Sequence, residues 1–246
     1  MKIAVIIATY RREDGTTLPL LKRAIESVIN QKHQDWKIFL IGDRYENEQE
    51  LNKVLALVPK EKIEFRNLSV AAERDRNYPK EMLWKYGGCN ARNFGNFIAQ
   101  TDGYEWMAQL DHDDFWHEDH LEKINQVIEN KELDASFVMT VSKYLNNNNF
   151  IPVAVTFKDV IPFNPVPEGI VHSSVCYNQK RIPLIYKDLY ALLKDENDLE
   201  KLKQERPADA YRWMETCDYI EEHNLKSYLV NSVTCSHLDE GYELNK

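Results

Sequence analysis

At 246 residues, 43% hydrophobic and 29% charged, the chain has an ordinary globular composition and enough length to bury a sizeable core, in one large α/β domain or two small ones. A net charge of -9 argues against a surface built to hold nucleic acid, yet an acidic protein can still bind a phosphorylated small molecule through a metal ion. Cys89, Cys176, Cys217 and Cys235 lie far apart without zinc-knuckle or redox spacing, so reduced thiols and a cytoplasmic location are expected.

The run Ile3 to Ala8 is apolar and β-branched, the pattern of a strand buried on both faces of a parallel sheet, and it is too short for a secretory or transmembrane segment. No other segment is apolar for long enough to span a bilayer, which leaves only peripheral membrane contact open. Leu20, Leu21, Ala24, Ile25, Val28 and Ile29 recur at helical spacing. Trp36 to Ile41 reads as a second strand ending at Gly42-Asp43, Leu51 to Val58 as a helix closed by Pro59, and Lys62 to Leu68 as a third strand. This alternation predicts an α/β fold with an open, mostly parallel sheet and helices on both faces.

Residues 69–87 are polar and read as a loop covering a site. Gly88 to Gln100 is expected to be helical, Glu105 to Leu110 a strand, and His117 to Asn130 a helix. Ala135 to Leu145 and Ile151 to Phe157 suggest a hairpin around Asn146 to Asn149. Ile170 to Tyr177 is a further strand, Lys187 to Gln204 and Asp209 to Glu222 are helices, and Ser227 to Val233 is a last strand before a polar tail. One domain over 1–246, with its C-terminal third folded back on the sheet, is the simplest organisation.

Ligands of an open parallel sheet bind outside the carboxyl ends of its strands. Thr9, Asp43 and the cluster Asp111-His112-Asp113-Asp114 stand at three such ends. Three carboxylates within four residues repel one another, and a divalent cation would offset this; oxygen ligands with no nearby cysteine favour Mg²⁺ or Mn²⁺. The plainer alternative is an acidic loop capping the next helix. His117 and His120, three apart, lack the His-Glu-x-x-His spacing and a third ligand, so capping and exposure explain them better than zinc. Glycine-rich dinucleotide and P-loop signatures are missing, as is the Gly-x-Ser-x-Gly of a serine hydrolase. Trp84, Tyr86, Trp116 and Trp213 are candidates to stack on a sugar, or simply core.

Val5-Ile6-Ile7-Ala8-Thr9-Tyr10, Ala24 to Gln31, Asp35 to Asp43, Ala91-Arg92-Asn93 and the Asp-His-Asp-Asp cluster occur in an order that resembles family-2 glycosyltransferases of the GT-A fold. The likeness covers residues 3–130 and weakens beyond. It implies a nucleotide-binding half over 1–130 and a smaller acceptor-side half over 131–246. It further implies transfer of a sugar from a nucleotide-diphosphate sugar, a UDP-sugar first among them, to a carbohydrate or glycolipid hydroxyl, as in surface polysaccharide synthesis. Under this resemblance Thr9, Tyr10, Arg11 and Asp43 belong to the nucleotide site, Asp43 accepting from the base. Arg92 lies near the diphosphate, Asp113 near the ribose with Asp111 in support, and Asp113, Asp114 and His237 hold Mn²⁺ or Mg²⁺ at the DXD-type motif. In inverting members a carboxylate acts as general base, and Asp209 in Pro207-Ala208-Asp209 matches it, with Glu215 and Asp218 as alternatives; an aspartate there is also an ordinary helix cap. His172-Ser173-Ser174 resembles an acceptor-side strand. The family often carries a second aspartate where this chain has Gly42, and Ser or Asn where it has Tyr45. Two rival readings are a nucleotidyltransferase, for which the loop after the first strand offers only Arg11, Arg12 and Gly15, and a non-catalytic nucleotide- or sugar-binding module on the same scaffold.

Overall fold

The computed structural model describes residues 1–75, 85, 87–145, 149–152, 158–187 and 206–238. Its strands are β1 (Ile3–Thr9), β2 (Trp36–Gly42), β3 (Ile63–Asn67), β4 (Trp106–Gln109), β5 (Phe115–Trp116), β6 (Ala135–Tyr144), β7 (Phe150–Ile151), β8 (Val160–Pro162), β9 (Val175–Asn178) and β10 (Lys226–His237). The helices are α1 (Thr17–Ile29), α2 (Glu48–Leu55), α3 (Cys89–Thr101), α4 (His120–Glu129) and α5 (Ala208–Glu222). The strands join in one sheet ordered β3-β2-β1-β4-β9-β6-β10-β5, with β7 on β6 and β8 on β10. β1 runs parallel to β2 and β4, and β2 parallel to β3. β9 is antiparallel to both β4 and β6, while β6 and β10 are parallel.

Side chains alternate between the two faces of a strand, and both faces of β1 are buried. Ile3, Val5 and Ile7 belong to one core with Leu21, Ala24 and Ile25 of α1, Leu51 of α2 and Leu121 and Ile124 of α4. Ala4 and Ile6 belong to the opposite core, with Ala99 of α3 and Trp213 and Ile220 of α5. Helices therefore cover both faces, as the near-continuous apolar strands require. Burying each large apolar side chain contributes about 1.5–3 kcal/mol.

The structure departs from the sequence expectation in three places. Ile170 to Tyr177 is not one strand: His172–Ser174 is a 3₁₀ turn, and the strand begins at Val175. The hydroxyl of Ser174 donates to the carbonyl of Val171 at 2.7 Å, the local bond by which serine competes with a sheet ladder. The last strand extends to His237 because register shifts between Val230 and Cys235 absorb the polar residues that had seemed to end it. His120 is not exposed but fully buried, stacked on Trp116 at 4.3 Å between ring centres, with Nδ1 2.7 Å from Thr234 Oγ1. The paired β6 and β7 agree with the expected hairpin, whose turn (146–148) and far arm (153–157) lie outside the described residues, as does the expected helix 187–204 apart from Lys187.

Burial pushes the His120 imidazole from its ordinary 6.5 down to about 3, so the folded protein keeps it neutral. The unfolded chain takes up that proton near pH 6.5. The stability tied to this neutral histidine is therefore intact above pH 6.5 and is lost as pH falls toward 3. His120→Gln should flatten the fall of unfolding free energy between pH 6.5 and 4 by up to about 1.4 kcal/mol per pH unit. Urea titrations across that range check it, and equal slopes in both proteins would refute the assignment.

Candidate active site

β1, β2 and β3 step outward to one edge, and the chain then returns to place β4 on the other side of β1. A crevice opens at such a switch point, outside the carboxyl ends of the strands. Here it is a cavity of about 190 Å³ lined by Thr9 at the end of β1 and Tyr10 just past it, Asp43 after β2, Asp111 to Asp113 after β4, and Gly87, Gly88 and Arg92 at the start of α3. Pro207, Ala208 and Asp209 at the start of α5 and His237 at the end of β10 form the remaining wall.

At one end Asp43 is 1% exposed. Its Oδ2 accepts from Arg74 Nε at 2.9 Å, and a second Arg74 nitrogen donates to its backbone carbonyl. Asp43 Oδ1 and Thr9 Oγ1 are buried without partners. Burial pushes the Asp43 carboxyl up, with Arg74 pulling the other way. The Tyr10 ring lies against the guanidinium groups of Arg74 and Arg12, at 5.1 and 5.8 Å. Buried oxygens without partners carry a desolvation cost that a ligand presenting N–H or O–H groups would relieve.

At the other end each clustered carboxylate has a cationic partner from a distant element. Arg92 of α3 donates to Asp111 Oδ1 at 2.8 Å, and Arg12 to Asp113 Oδ2 at 3.0 Å. His237 Nδ1 lies 2.8 Å from Asp114 Oδ2, and the Leu238 N–H donates to Asp114 Oδ1 at 2.8 Å. Burial raises Asp111, but the Arg92 guanidinium bonded to it outweighs this and holds the carboxyl below the usual range, while burial keeps His172 neutral. Burial raises Asp114 against the pull of His237, whereas His237, which burial alone would lower, is held up at about 9 by Asp114. Gly88 caps α3 with φ +84°, and a Cβ there would come within 2.9 Å of Arg92 Nη1. Glycine thus serves both the left-handed turn and the approach of that arginine.

Asp209 stands in the first turn of α5, its Oδ1 accepting from the Ala210 N–H at 2.9 Å. It keeps part of its capping role while facing the cavity. Burial raises its carboxyl, with Arg92 opposing. Behind Asp111, Ser173 Oγ accepts from the Asp111 N–H at 2.9 Å, and His172 Nε2 is 3.8 Å from Asp111 Oδ1. His172 rests on the rings of Tyr186 and Trp213.

The crevice brings together Thr9, Tyr10, Asp43, Arg92, Asp111, Asp113, Asp209 and His237, with Asp114 held beneath by His237. Arg11 is not among them. Its Nε donates to Glu50 at 2.8 Å, and the next residue, Arg12, turns into the cavity instead. Glu215 is drawn away by Lys187, and Asp218 lines a separate groove with it. Trp116 and Trp213 are core, while Trp84 and Tyr86 lie outside the described residues. The expected covering loop contributes Arg74, Lys85 and Gly87. Sequence reading missed Arg74 and the paired role of Arg12, because a lone arginine in a polar loop carries no spacing signal.

Gly42, where the resemblance leads one to expect aspartate, is explained by its neighbour on β3. A Cβ at 42 would run into Asn67 Oδ1. That oxygen accepts from the Tyr45 N–H at 2.8 Å, and Asn67 Nδ2 donates to the Tyr45 carbonyl at 3.0 Å. The exchanges at 42 and 45 are one arrangement.

The family described as glycosyl transferase family 2 matches residues 4–164. An uncharacterized glycosyltransferase of Acanthamoeba polyphaga mimivirus is 33% identical over 252 residues, spanning 98% of this chain and 95% of that protein. Among solved structures, S. aureus TarS 1-349 in complex with UDP superposes with TM-score 0.68 at 14% identity, over 99% of this chain and 62% of that one. Its complex with UDP-GlcNAc gives 0.65 at 13%, over 98% and 59%. The mannosyltransferase PcManGT from Pyrobaculum calidifontis in complex with GDP-Man and Mn²⁺ gives 0.58 at 11%, over 99% and 59%. At these identities the likeness shows the fold, and this chain spans about three fifths of those structures.

Gly42→Ala should destabilise the protein by about 1–3 kcal/mol through overpacking against Asn67. In an Asn67→Ala background the same change should cost less, with a coupling of at least ~0.5 kcal/mol in a double-mutant cycle. Strict additivity by chemical denaturation would show that the contact does not decide residue 42.

Proposed function

Because the chain belongs to glycosyl transferase family 2 and has the GT-A fold, we propose that its crevice binds a nucleoside-diphosphate sugar, a UDP-sugar first among candidates, and passes the sugar with inversion to a carbohydrate or glycolipid hydroxyl. The observation that carries this reading is that Asp209, Asp43 and the Arg92–Asp111 pair face one cavity although the sequence separates them widely. On this reading residues 1–130 hold the nucleotide and 131–246 supply the acceptor side within one catalytic domain. Surface polysaccharide assembly at the cytoplasmic side of a membrane suits a chain in which no described helix is long and apolar enough to cross one.

The reaction needs a base for the acceptor hydroxyl and positive charge for the departing diphosphate. Asp209, its carboxyl raised by burial, takes the proton as the hydroxyl oxygen attacks the anomeric carbon from the face opposite the nucleotide. Asp43 and Thr9 receive hydrogen-bond donors of the base on their unpartnered oxygens. Arg92, Lys85 and Arg12 place cationic charge along the cavity wall.

Asp113, Asp114 and His237 carry carboxylate oxygens and one imidazole, donor types that suit Mn²⁺ or Mg²⁺. As they stand, Arg12 occupies Asp113 and His237 occupies Asp114, and among the described residues no group of three His, Cys, Asp or Glu surrounds a common point. These three residues would hold the ion once those pairs opened, and the ion would supply Lewis-acid stabilisation of the leaving diphosphate.

Asp209→Asn should lower turnover by about 10²- to 10⁴-fold while UDP affinity is kept. Full activity in that variant would remove Asp209 from the chemistry. Calorimetric titration with UDP, GDP, CDP and dTDP, with and without Mn²⁺, should find one preferred diphosphate whose affinity rises with the metal. That rise should vanish in Asp114→Ala; affinity indifferent to both metal and mutation would overturn the metal reading.

A further inference from the structure

His112 is the one member of the acidic cluster that brings no carboxylate, and none of the roles above uses it. Its side chain lines the crevice and is 7% exposed. The imidazole lies beside the Ala8 carbonyl, at the end of β1. Its Nε2 is buried without a partner. One strong polar atom is thus left unused at the wall of a ligand cavity. Buried polar atoms are rarely left so, and a bound molecule is the natural source of the missing bond.

Its position selects which part of a nucleotide it meets. On one side the imidazole meets the edge of the Tyr10 ring, centroid to centroid 5.6 Å, and Tyr10 in turn lies against Arg74, which clasps Asp43 at the base end. On the other side its chain neighbours are Asp111, paired with Arg92, and Asp113, paired with Arg12, at the cationic end. Between a base and a diphosphate lies the ribose. Its hydroxyls both donate and accept, so they can bond an imidazole nitrogen in either protonation state.

We infer that His112 is a specificity-determining residue whose Nε2 bonds a ribose hydroxyl, so that the site selects donors with an intact ribose over those that lack the bonded hydroxyl. The inference rests on the nucleotide-binding reading above. Because Nε2 is buried, a sugar reaches it only if the Tyr10 ring packed on the imidazole shifts.

The test is calorimetric titration of the full chain with UDP and GDP and with the 2′-deoxy and 3′-deoxy forms of each. Wild-type protein should bind one of the deoxy forms roughly tenfold more weakly than its parent, the loss expected when a buried polar atom is left unpaired. His112→Phe keeps an aromatic ring against Tyr10 and should reduce that ratio to about twofold or less. His112→Gln, which can place an amide near the Nε2 position, should keep part of it. Thermal melting of both variants separates misfolding from lost recognition, and the wild-type comparison needs no variant. A wild-type protein indifferent to both deoxy forms, or a His112→Phe protein that discriminates as well as wild type, overturns the inference and leaves nucleotide binding standing. Failure of wild-type protein to bind any of UDP, GDP, CDP and dTDP overturns both readings.

Discussion

Three carboxylates at the mouth of a buried strand cannot all stay ionised unless opposite charge reaches each of them, and the architecture of the sheet delivers it. Arg92 comes from α3, Arg12 from beyond β1, and His237 from the far end of β10. Each arrives only if the strand order is correct, because β1 and β4 must adjoin and β10 must run past β6 to its full length. Removing one partner of a buried pair typically costs about 3–5 kcal/mol. Stability and site assembly are therefore hard to separate: the contacts that close the crevice also tie the two ends of the chain together.

Behind the charged layer lies a neutral one that fixes its geometry. Gln109 donates to Asn96 Oδ1 at 3.1 Å and to the Tyr177 hydroxyl at 3.2 Å, and Asn96 donates to the same hydroxyl at 3.1 Å. Asn93 and the Tyr186 backbone exchange two bonds, at 2.7 and 2.8 Å. α3, which carries Arg92, is thus bonded to β4, to β9 and to the segment before α5. Arg212 is buried with no carboxylate beside it among the described residues, its guanidinium set over Tyr177, Tyr186 and Trp213 at 5.2–5.6 Å. Quadrupoles of aromatic rings can stabilise such a cation where water cannot. These bonds tie α3 to its neighbours and so set where Arg92 meets Asp111, although Gln109 Oε1 and two Arg212 nitrogens stay buried without partners.

Much of this was legible in the sequence. The first four strands and the helices between them follow from apolar runs and helical spacing, since both are local properties of the chain. Thr9, Asp43 and the acidic cluster could be placed at strand ends because a parallel sheet leaves no other place for polar residues in such runs. The pairings could not be read. Arg11 and Arg12 are chemically identical neighbours, and which one enters the cavity depends on the turn that sends Arg11 toward Glu50. His120 carries no mark of burial, because its partners Trp116 and Thr234 come from two other strands. The polar residues of β10 hid a strand that continues through a bulge, and Ser173 and Ser174 hid a tight turn within an apolar run. Apart from that turn, which the local Ser174–Val171 bond makes, the deciding interactions join residues far apart in the chain, and no window of sequence contains them.

β9 is the antiparallel strand between two parallel groups, and it closes the edge of β4. During synthesis that edge emerges long before β9 does. β1 to β4 can pair as soon as they leave the ribosome, presenting a buried-type strand with one row of free amides and carbonyls and nothing alongside. Such an edge is a template for another chain. Late, long-range closure also makes the fold slow compared with its local elements. The nascent chain thus passes through an interval in which its best-formed portion is also its most adhesive, and the same late strand that completes the crevice ends its exposure to neighbouring chains.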